Sequence, residues 1–148
     1  MLKIPFLIGK IKLDIGNKRE FNRGEIIKGK VYLTLKRDVE ARGVKVRLIA
    51  EKEVQERKGD ETIIRWKEFY RQEAVLDGEK KYKKGNYEYE FELKIPESAP
   101  PTTAPPLLRI SISGMSFSTK IPIRWKIAAV LDIPLGLDLS DKKDIILK

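Results

Sequence analysis

The sequence predicts an all-β protein: an immunoglobulin-like β-sandwich of two antiparallel sheets. Three observations carry that prediction. Apolar residues recur at period two along almost the whole chain, and no stretch shows a convincing 3.6-residue stripe. The alternating runs are rich in β-branched and aromatic residues, and Gly, Pro and Asp turns separate seven or more of them. At 148 residues, 41% hydrophobic and 36% charged, the chain can bury one ordinary core and reads as a single domain over 1–148.

The elements follow in order. Ile4 to Ile15 alternates and supplies a first strand; it has no small-residue cleavage site, so it is not read as a signal peptide. In GKVYLTLKR, Val31, Leu33 and Leu35 share one face, with Lys30, Tyr32, Thr34 and Lys36 on the other. Val44, Val46 and Leu48 define a third strand running towards Glu53. IIRWKEFYRQEAVL has Ile63, Trp66 and Tyr70 at helical spacing, but its β-branched and aromatic content, between strands on both sides, favours a strand.

The plainest alternation is KKGNYEYEFELKIPESAPPTTAPP. Tyr87, Tyr89, Phe91, Leu93 and Ile95 point one way, and Glu88, Glu90, Glu92 and Lys94 the other. Pro96 ends this strand because it has no N–H to give to a ladder. The prolines after it stiffen a crossing in which extended backbone is wanted and pairing is not. LLRISIS and SFSTK then read as a hairpin around Ser113 and Gly114. Ile121, Ile123, Trp125 and Ile127 are expected to face inward from the next strand, and DIILK closes the chain.

Composition removes several kinds of chemistry. There is no cysteine and no histidine. Disulfides, thiolate nucleophiles, Cys/His zinc sites and imidazole catalysis are therefore excluded. No apolar run approaches the roughly 18 residues of a membrane span, and the expected location is the cytoplasm. The abundance of Lys, Arg, Glu and Ile would suit a thermophile. A net charge of +9 favours acidic partners: nucleic acid, anionic lipid or an acidic protein segment.

The order of the punctuation goes further than periodicity. FNRGEIIKGKVYLTLKR, GVKVRLIAEKE, KKGNYEYEFELKIPESAPP and IPIRWKIAAVLDIPLGLDLSDKKDIIL follow one another. Gly24, Glu25, Gly29, Gly85, Phe91, Pro96, Pro100, Pro101, Trp125, Asp132 and Pro134 stand at the marked places. This pattern resembles the amino-terminal domain of the arrestin-like superfamily, in a single-domain version, over residues 20–147. The resemblance implies an arrestin-type sandwich and a non-catalytic scaffold, adaptor or regulator that binds another protein. No cofactor is implied, and no phosphate-sensing charged core aligns.

The candidate chemistry agrees. Asp132, Asp138, Asp141 and Asp144 lack calcium-loop spacing and read as a solvated turn. Glu88, Glu90 and Glu92 read as cross-strand partners of Lys28, Lys30 and Lys36. Ser113, Ser116 and Ser118 have no histidine to activate them. No catalytic, metal or cofactor residue is assigned.

With Val44, Val46, Ile123 and Trp125 inward, Lys45, Arg47, Arg124 and Lys126 project together from the second sheet, with fewer acids expected opposite. They are the partner-binding candidates, suited to an acidic or phosphorylated protein segment and less well to nucleic acid or an anionic membrane. The alternative function is a basic β-domain binding nucleic acid, for which Trp66, Phe69 and Tyr70 in RWKEFYR are the aromatic candidates. Self-association through an edge strand, such as the KKDIILK tail, is a further expectation.

Overall fold

The alternation resolves into two sheets packed face to face. The computed structural model describes residues 7–103, 111–112, 115–116 and 121–148. The first sheet has the order β1-β3-β8: β1 Gly9–Asp14, β3 Ile26–Leu35 and β8 Gly85–Lys94. The second has the order β2-β12-β11-β5-β6: β2 Glu20–Phe21, β5 Gly43–Lys58, β6 Glu61–Asp77, β11 Ile123–Asp132 and β12 Leu139–Leu147. Two small pairs accompany them: β4 Val39–Ala41 with β7 Lys80–Tyr82, and β9 Ser111–Ile112 with β10 Met115–Ser116. Among the described residues, the pairings between these strands are antiparallel except β12 with β2.

The inward residues form one continuous apolar cluster. Leu13, Val31, Leu33, Phe91 and Leu93 come from the first sheet; Val44, Leu48, Trp125, Ile127 and Leu131 come from the second. Tyr87 and Tyr89 share the inward face of β8 and pack, partly buried, against this cluster. On the outer face of the same sheet, Lys28 lies 3.7 Å from Glu92, and Lys30 lies 3.4 Å from Glu88 and 3.9 Å from Glu90. The predicted charge ladder is therefore present at Lys28 and Lys30, while Lys36 falls beyond β3, whose last pair with β8 is Leu35 with Gly85; such exposed pairs add little to stability.

Two glycines serve definite steric needs. Gly24 adopts φ +80° in the Asn22–Glu25 turn, where Glu25 N–H donates to the Asn22 carbonyl at 3.1 Å. Gly29 lies beneath Phe91: a Cβ there would stand 2.8 Å from two ring carbons and 2.5 Å from the Asp14 carbonyl oxygen. Two further contacts lock the sheets together. Leu13 N–H, on the outer edge of β1, donates to the Asp141 carboxylate at 2.8 Å. The Trp125 indole N–H donates to the Pro100 carbonyl at 2.8 Å, so the proline crossing is pinned to the tryptophan strand.

Three expectations need adjustment. Ile121 is 57% exposed rather than inward. The chain enters β11 through Pro122, and alternation starts only at Ile123, where Thr103 pairs with the strand. The first strand is Gly9–Asp14 among the described residues; positions 4–6 lie outside them. The hairpin is present as β9 with β10, while Ser113, Gly114 and Ser118 lie outside the described residues. No helix among the described residues is long and apolar enough to cross a membrane.

Candidate partner-binding face

Lys45, Arg47, Arg124 and Lys126 do share the outer face of the β5–β11 pair, as their alternation requires. The register keeps them from opposing one another. Lys45 lies opposite Val130, Arg47 opposite Ala128, Lys126 opposite Ile49 and Arg124 opposite Glu51. The expected shortage of acids is corrected by the structure. Arg124 Nε donates to Glu51 at 2.8 Å, and Lys126 Nζ lies 3.3 Å from the same oxygen. Arg47 Nε reaches Glu73 at 2.7 Å; Lys45 bridges Glu73 at 3.6 Å and Asp132 at 3.1 Å, and Arg42 adds a second contact to Asp132 at 3.4 Å. These acids come from β5 itself, from β6 and from the end of β11, so only the assembled sheet brings them to the cations.

The carboxylates respond accordingly. Hydrogen bonding from Arg47 holds Glu73 below its ordinary range. Burial pushes Glu51 and Asp132 upward, but their hydrogen bonds and opposite charges outweigh it and leave both lowered. The stems of this layer cover an apolar floor: Ile49, Ala128 and Val130 point out of the sandwich yet are 8%, 1% and 3% exposed. Arg124 is the most accessible of the four cations, and its guanidinium stacks 4.2 Å from the centroid of Trp66.

RWKEFYR does not form an aromatic platform. Trp66 pairs with Glu53 and Tyr70 with Ala50, but a bulge between Ala50 and Glu51 leaves Phe69 as the extra residue. One inserted residue reverses the faces on either side of it. Trp66 therefore lies outside under Arg124, whereas Tyr70 turns inward, 5.7 Å from Trp125 and tilted by 57°.

The aspartates of the last turn also disperse. Asp132 belongs to the ion-pair layer, Asp138 accepts from Ile133 N–H, and Asp141 accepts from Leu13 N–H. Among the described residues no group of three His, Cys, Asp or Glu could hold a metal ion. The KKDIILK tail forms the end of β12 up to Leu147, paired with β11 from Lys142 to Ile145 and with β2 at Ile146 and Leu147.

Alternation places Tyr89 in the core, and its hydroxyl does more. It donates to Asp77 at 2.7 Å, linking the inward face of β8 to the end of β6. Burial, reinforced by that carboxylate, pushes the phenol well up.

Comparison with known proteins agrees with this architecture. The arrestin (or S-antigen) N-terminal domain family model matches residues 9–147. No curated protein sequence matches the chain. Among solved structures, the sporulation control protein Spo0M from Bacillus subtilis superposes with a TM-score of 0.66 at 18% identity. That superposition covers 95% of this chain and 49% of the other, so the chain spans about half the length of that structure. The chain belongs to the arrestin N-terminal domain family.

Proposed function

We propose that the chain is a non-catalytic adaptor or regulatory domain that works by binding another protein. The observation that carries the reading is family membership across residues 9–147, in a chain without cysteine or histidine. The finer reading is that an acidic or phosphorylated segment of the partner engages Lys45, Arg47, Arg124 and Lys126. Its support is the chain's +9 charge and the sharing of one Glu51 oxygen between Arg124 and Lys126. Such a segment must compete with Glu51 and Glu73 for the same donors, and phosphate groups are suited to do so because charge-assisted bonds to them are strong.

Affinity capture from native lysate, with nuclease-treated controls, tests the reading. A protein retained after nuclease treatment, and lost with Lys45→Glu plus Arg124→Glu, is the expected result. Retention that depends on intact nucleic acid would favour a nucleic-acid-binding domain instead. A protein retained equally by the double variant would remove the proposed face.

A further inference from the structure

Leu135 is an anomaly of both side chain and backbone. It is 93% exposed, so its side chain contributes almost nothing to the core. Its backbone sits at φ +70°, followed by Gly136 at +73°. A left-handed conformation is unfavourable for a leucine and easy for glycine or asparagine. Neither packing nor turn geometry therefore explains a leucine at the tip of LDIPLGLDL.

The surroundings of that tip are specific. The 3-10 turn Pro134–Gly136 forms one wall of a cavity of about 330 Å³, whose other walls include Ile8, Arg37, Val39 and Glu40. Ile8 accepts a hydrogen bond from Lys36 N–H, and its neighbour Leu7 is 46% exposed. The β3–β4 loop is tied in turn to the strand carrying the lysines: Lys84 N–H donates to Asp38 at 2.8 Å, and β4 pairs with β7. Segments 36–42 and 79–84, KRDVEAR and EKKYKK, hold seven lysines and arginines and the carboxylates of Asp38, Glu40 and Glu79; Arg42 pairs with Asp132, Lys80 with Asp77 and Lys83 with Asp38. Lys36, Arg37, Lys81, Lys83 and Lys84 are all exposed.

We propose that this end of the sandwich docks on an anionic lipid surface, with Leu135 entering the acyl boundary and the lysine-rich loops meeting the headgroups. A projecting apolar tip within a cationic rim supplies the two signals that stable peripheral attachment requires, where one alone is marginal. A cationic rim complements anionic headgroups, and a convex leucine suits a deformable surface. The proposed surface is distinct from the partner face on the outer side of the second sheet, although Arg42, which pairs with Asp132, borders both.

The test is co-sedimentation with vesicles of phosphatidylcholine containing about 30% phosphatidylserine, against pure phosphatidylcholine, at low and high salt. Binding to the anionic vesicles that weakens as salt rises is expected. Leu135→Gly, which relieves the backbone while removing the side chain, should lower the partition coefficient about tenfold to a hundredfold. Its melting temperature should stay level or rise, so a loss of binding cannot be ascribed to unfolding. Lys36→Glu with Lys84→Glu should weaken binding by at least about twentyfold, each cation near the surface being worth about fivefold. Failure to bind anionic vesicles at low salt would overturn the proposal, as would a Leu135→Gly variant that binds like the parent chain. So would a glutamate-rich peptide that binds in a Leu135-dependent way while vesicles do not.

Discussion

Gly29→Ala should destabilise the protein, although the same change in an unstrained strand usually helps. Alanine recovers about 0.5–1 kcal/mol of unfolded-chain entropy. Here, however, the new Cβ would lie 2.5 Å from the Asp14 carbonyl oxygen and 2.8 Å from Cε1 and Cζ of Phe91. Ordinary contact begins near 3.4 Å, so β1 or the ring must retreat by more than half an ångström. Asp14 pairs with Lys30 across the ladder, and Phe91 is 5% exposed in the core, so neither can yield freely. Overpacking costs about 1–3 kcal/mol, and the contact with a backbone oxygen puts this site at the upper end, about 2–3 kcal/mol, leaving a net loss of about 1–2.5 kcal/mol. For a chain of this length that corresponds to a fall in Tm of roughly 3–8 °C. Urea titration with thermal melting measures it. Adding Phe91→Leu should return part of the loss as a favourable coupling, because the ring clash is removed and the carbonyl clash remains. A Gly29→Ala variant as stable as the parent, or more so, would refute the packing of β3 beneath Phe91.

Two further outcomes follow from the same geometry. Trp125→Phe removes the indole donor to Pro100 and core volume together, and should cost about 2–3 kcal/mol; a loss below about 0.5 kcal/mol by denaturant titration would contradict the anchoring of the proline crossing. Glu51, Glu73 and Asp132 have lowered folded pKa values, so their contribution is complete above the unfolded values near 4 and is lost as pH falls through the folded ones. Tm should hold from neutral pH to about 5 and drop below about 4, and Glu51→Gln with Glu73→Gln should flatten that acid slope; an unchanged slope would contradict it.

The parts of the fold that were legible in sequence are those set by local chemistry. β8 shows both its faces in NYEYEFELK, and its glutamates meet lysines two strand positions apart on β3. Trp125 and the prolines mark the crossing because only proline and a large buried aromatic do those jobs there. What stayed hidden depends on residues distant in sequence. The bulge at Phe69 exists only through the pairing of β6 with β5, so Trp66 and Tyr70 read as neighbours when they lie on opposite faces. The acids of the outer layer were invisible for the same reason: Glu51 meets Arg124 across 73 residues and Asp132 meets Lys45 across 87. The four cations of the candidate face were placed correctly by alternation, while their neutralisation required the register. Leu135 gave no signal, since a leucine between proline and glycine does not reveal its φ.

The proposed competition between internal carboxylates and an acidic partner is tested most directly by removing the carboxylates. With the captured partner in a titration calorimeter, Glu51→Gln plus Glu73→Gln should bind more tightly than the parent chain while melting at a lower temperature. Lys45→Glu plus Arg124→Glu should bind more weakly. An affinity unchanged by both pairs of substitutions would contradict the assignment of this face to partner binding.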